Sequence, residues 1–140
     1  MKLFPAGMLL ALCVTACAAP PPAPPPPPPK PAVTPDVVDG LYRGTSTRYR
    51  ADSRACPSPG LVTLRVVGGQ FTYRWNYRTQ VPATILPDGS VQGGLGEITL
   101  TGTVLPPQPS TGGRRAEPQR IEGDVSNGTC GIHYTVSKHG

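Results

Sequence analysis

The segment Phe71-Thr72-Tyr73-Arg74-Trp75-Asn76-Tyr77-Arg78 carries an aromatic residue at every odd position and a polar or basic one at every even position. Successive side chains on a strand point to opposite faces, so this pattern fits a half-buried strand and no helix. It predicts an aromatic face against a core and a polar face, with Arg74 and Arg78, in solvent. Upstream, Val62, Leu64 and Val66 alternate with Thr63, Arg65 and Val67, and Gly68-Gly69 joins the two runs. Two-residue hairpin turns need positive φ, which glycine supplies without strain. The sequence therefore predicts a hairpin of Leu61–Val67 with Gln70–Arg78.

Shorter runs of the same kind follow along the chain. Gly40–Arg50 reads as a first strand, Val81–Leu86 as another, and Pro87-Asp88-Gly89 as the turn that ends it. Ser90–Leu95 returns from that turn. Glu97–Leu105 places Ile98, Leu100 and Val104 on one side, with Gly102 where a neighbouring backbone can approach. Pro106–Gln119 reads as an exposed loop. Arg120–Val125 and Cys130–Lys138 complete the set, turning near Asn127-Gly128, with Cys130 facing the core. Seven or eight short strands at roughly ten-residue spacing predict an all-β fold, a single small antiparallel barrel or sandwich.

Not all 140 residues can join that domain. Between Pro20 and Pro35 there are 11 prolines in 16 residues, a stretch that forms stiff polyproline II and no core. At ~3.1 Å per residue it reaches about 50 Å. The reading is a spacer, with a ligand for a proline-recognising domain as the other use. About 105 residues remain, enough for one modest core that a covalent staple would help. The predicted divisions are residues 1–16 as a signal peptide, 17–35 as a lipidated cysteine with its linker, and 36–140 as the β-domain.

The first division rests on Met1-Lys2, the apolar run Leu3–Leu12 and the box Val14-Thr15-Ala16-Cys17. The run is too short to stay in a bilayer as a helix and has the length of a secretory signal's apolar region. The box resembles that of bacterial lipoproteins, with Val14 where Leu is commoner. The resemblance covers residues 1–17 and implies cleavage before Cys17 and a diacylglycerol thioether on its sulfur. Two or three chains anchor firmly where one does not. Ala18 in place of Asp points to the outer membrane rather than the inner. The other reading is an ordinary cleaved signal with Cys17 incidental. Asp39-Gly40-Leu41-Tyr42-Arg43-Gly44 and Cys130-Gly131-Ile132-His133-Tyr134 look like the ends of small exported β-domains of bacterial lipoproteins, a similarity that implies no activity.

Cys13 lies in the export segment, which leaves Cys56 and Cys130 in the exported domain. An even number of cysteines in an oxidising compartment predicts a disulfide. Zinc held by Cys56, Cys130, His133 and His139 is the weaker alternative, because the spacing matches no usual ligand pair. No metal and no cofactor is expected. Charge is segregated: seven arginines and one acid between Leu41 and Arg78, then four basic residues and five acids. Arg65, Arg74 and Arg78 share an outer-face parity and are the candidate anion-binding residues, unless they are ordinary solvated charges.

No nucleophile turn, phosphate loop or catalytic His arrangement is present in the sequence, so no catalytic residue is expected and an enzyme is the last choice. Glu122 and Asp124 share a strand face, a paired-carboxylate arrangement if not simply solvated. Aromatics alternating with arginines suit single-stranded nucleic acid, but export removes that partner. The expectation is a membrane-anchored envelope lipoprotein with a non-enzymatic binding or structural role, its partners the membrane through its lipid and an anionic envelope component or a protein. The alternatives are an inhibitor of a lysozyme or protease, plugging a cleft with Pro106–Gln119, and a carrier of small apolar ligands.

Overall fold

The structure, a computed structural model, describes residues 19–29 and 32–140. Cys17 and the proposed signal peptide lie outside the described residues. Residues 19–29 are exposed and form no helix or strand.

A single helical turn, α1 (Pro35–Val38), precedes eight strands: β1 (Gly40–Ala51), β2 (Leu61–Val66), β3 (Gln70–Arg74), β4 (Gln80–Ile85), β5 (Ser90–Leu95), β6 (Ile98–Leu105), β7 (Arg120–Ser126) and β8 (Cys130–His139). All pairings are antiparallel, in the order β2-β1-β8-β7-β6-β5-β4-β3. The sheet curls into a nearly closed barrel whose first and last strands, β1 and β8, pair along most of their length.

The two ends of the sheet are therefore β2 and β3, the strands joined by the strongest hairpin signal. Their turn forms as expected: Gly68 and Gly69 have φ of 60° and 72°, and Val67 and Gln70 exchange both backbone hydrogen bonds, at 2.9 and 3.1 Å. Beyond that one bridge no ladder joins β2 to β3. Each is committed on its other side, β2 to β1 from Leu61 to Val66 and β3 to β4 from Gln70 to Arg74. The predicted hairpin is thus a turn without a ladder, and the gap it leaves is a seam.

Alternation sorts the side chains. Val62, Leu64, Val66, Phe71, Tyr73, Val81, Ala83, Ile85, Ile121 and Val125 turn inward, with polar or exposed residues between them. Tyr134 needs more room than a small barrel offers. It is provided where inward-facing Gly102 and Gly123 pair across β6 and β7: a Cβ on either would come 3.1 or 2.9 Å from the Tyr134 hydroxyl. The Tyr73 and Tyr134 rings meet with centroids 5.2 Å apart. Burial raises the pKa of the Tyr134 hydroxyl, and the nearby Tyr73 and Asp124 act in the same direction.

The aromatic row ends sooner than its periodicity predicts. Phe71, Tyr73 and Trp75 are 4 %, 4 % and 6 % exposed, but Tyr77 is 82 % exposed. Strand β3 stops at Arg74 because Asn76 turns the chain, its Oδ1 accepting the N–H groups of Arg78 and Thr79 at 2.9 and 2.8 Å. Asn side chains compete with ladder pairing in this way. Residues 75–79 are therefore a turn, and Arg78 is not on the strand.

The two ends of the barrel differ. At one, α1 covers the opening: Val38 is buried, and the Tyr42 hydroxyl donates to its carbonyl at 2.7 Å and lies 2.9 Å from the Gln119 side-chain amide. The linker arrives here, Val33 N–H donating to Pro87 at 2.7 Å. At the other end, the predicted Cys56–Cys130 disulfide ties the 52–60 loop to the start of β8, with Cα atoms 5.3 Å apart. Closing a loop of 74 residues contributes about 4 kcal/mol in the chain-entropy account.

The different fates of Trp75 and Tyr77 are measurable. Trp75→Ala should lower stability by about 3–5 kcal/mol, whereas Tyr77→Ala should stay within about 0.5 kcal/mol of wild type. Equal losses in chemical denaturation would mean that the turn at Asn76 is misplaced.

Candidate functional site

The seam runs from the Gly68-Gly69 turn toward the disulfide end. Ser46, Tyr73, Val62 and Ile132 floor it, Gly60–Thr63 form one wall and Thr72–Trp75 the other, with Pro57 and Ser58 at the mouth; the groove has a volume of about 430 Å³. Its apolar lining is mostly buried, apart from Leu61 at the mouth, which is 92 % exposed.

Backbone geometry decides what the walls present. In an antiparallel strand alternate residues address the same neighbour. Val67 and Gln70 address each other across the turn, so Thr63 and Arg65 on one strand, and Thr72 and Arg74 on the other, turn their N–H and C=O groups into the seam. No ladder takes them up.

The closed tip of the seam is fastened by Asp39. Its two carboxylate oxygens accept the N–H groups of Gly68, at 2.8 Å, and Gly69, at 3.0 Å. Gly69 in turn accepts from Ile85 N–H at 2.8 Å. The N–H of Gly69 and then that of Gly68 hold the Asp39 pKa below the ordinary aspartate range, with Lys138 adding a smaller pull.

Of the three candidate arginines, Arg65 and Arg74 take the outward parity expected of them, and Arg78 leaves the strand. Arg65 projects from the outer face of β2 and Arg74 from that of β3, on opposite sides of the seam. Arg78 stands on the 75–79 turn, its guanidinium 4.8 Å from the centre of the Tyr77 ring. A fourth arginine escaped the sequence reading. Arg43 is exposed on β1, directly across from Thr63, and the odd-numbered parity of Leu41, Arg43 and Thr45 is the signal that could have found it. Strands β1 to β5 contain no acidic residue. Arg50 pairs loosely with Asp52 at 3.7 Å and donates to the Gly128 carbonyl at 2.8 Å, both at the surface.

Away from the seam, His133 Nδ1 lies 3.0 Å from Asp124 Oδ1 on the outer face of β7 and β8. Counting back across the Asn127-Gly128 turn from the Ser126–Gly131 pair reaches this contact, a step the sequence reading did not take. Both side chains are about half exposed, Glu122 lies on the same face, and Thr47 and Thr101 are their cross-strand neighbours. The face is shallow and open to water, so it holds a proton-accepting pair without a means of positioning a substrate. Among the described residues no three His, Cys, Asp or Glu side chains converge as metal ligands. Cys56 and Cys130 are joined to each other.

The Pro106–Gln119 loop doubles back as a short exposed hairpin, Gln108 and Glu117 exchanging backbone hydrogen bonds at 2.9 Å and Arg114 N–H donating to Thr111 at 3.0 Å. It leaves the barrel at the end where the linker arrives. Tyr77, with its ring out on the turn, does not join Tyr73 and Trp75 in a ligand pocket. No protein-family model matches the chain, and no curated protein or solved structure matches it significantly. Fold and seam define an eight-stranded antiparallel barrel with one unpaired strand boundary. Among the described residues no helix is long and apolar enough to cross a membrane.

The Asp39 clasp gives a pH dependence of known sign. An aspartate whose pKa is lowered by folding stabilises the fold fully above its unfolded pKa, and that contribution fades as pH falls through the folded value. The stability gap between wild type and Asp39→Asn should be full at neutral pH and shrink below about pH 4. A gap that grew toward low pH in denaturant titrations would contradict the clasp.

Proposed function

We propose that this chain is a membrane-anchored envelope lipoprotein whose barrel is a non-enzymatic binding module for an anionic envelope component. The observation that carries the binding half is the arginine-bearing outer surface around the seam, with Arg43, Arg65 and Arg74 exposed on strands that hold no acid. Like charges on neighbouring strands repel each other, and an anionic partner relieves that repulsion. Arginine also pairs with carboxylates and phosphates through two parallel hydrogen bonds.

The anchoring half is supported by Met1-Lys2, the short apolar run and Val14-Thr15-Ala16-Cys17, with the lipid on Cys17 and Ala18 favouring the outer membrane. The prolines between Pro20 and Pro35 then act as a stiff spacer. The linker meets the barrel at its plugged end, so the mouth of the seam lies at the end away from the tether. The 106–119 hairpin is on the tether side, which weighs against its plugging the cleft of a bulky hydrolase. The core side chains pack against one another, and the groove beside Tyr73 and Trp75 is open along the seam rather than enclosed, which weighs against a carrier of apolar ligands.

One preparation tests both halves. Mass spectrometry of the membrane fraction should show an acylated Cys17 peptide, absent after Cys17→Ser. In neutral detergent the wild-type chain should sediment with isolated cell envelope at low salt and be released at high salt. The Arg43/Arg65/Arg74→Gln variant should bind at least about tenfold more weakly, since each arginine near an anionic surface contributes about 1 kcal/mol. An unmodified Cys17 removes the anchor from the proposal, and equal, salt-insensitive binding by the triple variant removes the anionic partner.

A further inference from the structure

We infer that the seam between β2 and β3 is a strand-addition site, which takes one extended acidic segment of a partner protein and completes the barrel with it. The inference rests on the reading of the arginine-bearing face as a binding face and names its partner. Three observations meet here. The first is the pair of unpaired backbone edges: Thr63 and Arg65 on β2, and Thr72 and Arg74 on β3, direct their N–H and C=O groups into the seam, and Thr63, Thr72 and Arg74 line its groove. Everywhere else around the barrel, neighbouring strands are laddered. A strand inserted between two edges gains main-chain hydrogen bonds on both sides, where ordinary strand addition gains one row. About four extended residues, roughly 13 Å, span the groove walls Gly60–Thr63 and Thr72–Trp75.

The second observation is the side-chain chemistry along the groove. Residues of an inserted strand alternate between outside and inside. Inward ones meet Val62, Tyr73, Trp75 and Ile132, so they should be apolar. Outward ones lie between Arg65 with Thr63 on one strand and Arg74 with Thr72 on the other, with Arg43 one strand further, so they should be acidic. The Asp39 carboxylate is occupied at the closed tip by the N–H groups of Gly68 and Gly69. Leu61, 92 % exposed at the mouth, offers an apolar contact where a segment would emerge.

The third observation removes the nearer occupants. The chain's own linker between Pro20 and Pro35 has 11 prolines in 16 residues, so most of it lacks the N–H groups that pairing requires. A second copy would bring the same acid-free, arginine-bearing edges together, which like charges oppose. A partner segment alternating acidic and apolar residues meets neither objection.

The test uses the full chain in neutral detergent and an end-blocked decapeptide alternating glutamate and valine. Alone, the amides of Thr63, Arg65, Thr72 and Arg74 should exchange with deuterium faster than those of Leu64 and Tyr73, which are turned to β1 and β4. With the peptide, the four should slow by at least about tenfold. A lysine–valine peptide should not do this, and Arg74→Glu should weaken the glutamate peptide and favour the lysine one. Four amides already protected in the free chain would mean a closed seam and overturn the proposal. So would a peptide N-methylated at alternate residues that bound as tightly as the parent, for that leaves charge without strand pairing. The last outcome spares the anionic-partner reading. Conversely, peptide protection of the four amides in a chain whose envelope binding ignores the arginines would sustain the seam and sink that reading.

Discussion

Closure of the sheet upon itself at Gly68-Gly69 is the constraint on which the rest of the molecule depends. A curled sheet buries its inner face only if its two ends meet, and here they meet through one bridge, Val67 to Gln70. The Asp39 carboxylate, just before the neighbouring strand β1, clasps both glycine N–H groups. Ile85 reaches Gly69 from the end of β4. Without that junction, Val66 and Phe71 would be edge residues with one side in water, and the interior packed around Tyr134 would open. Asp39 sits between α1 and β1, so the same residue links the plug of the barrel to its closure.

Closure at one end leaves the other free to be different. Toward the linker, α1, Tyr42 and Gln119 fill the opening with a hydrogen-bonded cluster whose tyrosine hydroxyl is pushed by burial to a pKa of about 12. Toward the far end, the 52–60 loop takes over, held by the disulfide and by Ser46, whose hydroxyl accepts the Gly60 N–H at 3.1 Å. A covalent tie is the economical device there, because the loop contributes few buried apolar side chains beyond Cys56. The polarity of the barrel thus follows from two kinds of stopper, and it sets which end is open.

Unpaired strand edges invite pairing with other chains, and proteins commonly guard them with charge. Arg65 and Arg74 do that here, one on each side of the seam. On the strand-addition proposal, charge of one sign discriminates: it opposes pairing of two copies of this protein and favours a segment of opposite charge. Protection against self-association and selection of a partner are then one arrangement of the same side chains.

Local pattern was sufficient for most of the fold. Period-two alternation and turn signals together marked seven or eight strands close to the eight that form, Gly68-Gly69 and Pro87-Asp88-Gly89 marked turns, and the compartment implied by the first 17 residues marked the Cys56–Cys130 pair. These are properties of neighbouring residues and of composition, so they survive in one dimension. The end of β3 was missed because Asn76 captures two backbone N–H groups with its own side chain, a local competition that outweighs the aromatic period and puts Tyr77 outside. The His133–Asp124 contact was within reach of register counting across a single turn. What only the tertiary structure decided is which strands become neighbours. A hairpin turn fixes where two strands start, not whether they stay together. Here β2 follows β1 and β3 follows β4, because those ladders extend along each strand while the turn supplies one bridge. The candidate site is the gap between them, a consequence of barrel closure that no run of adjacent residues encodes.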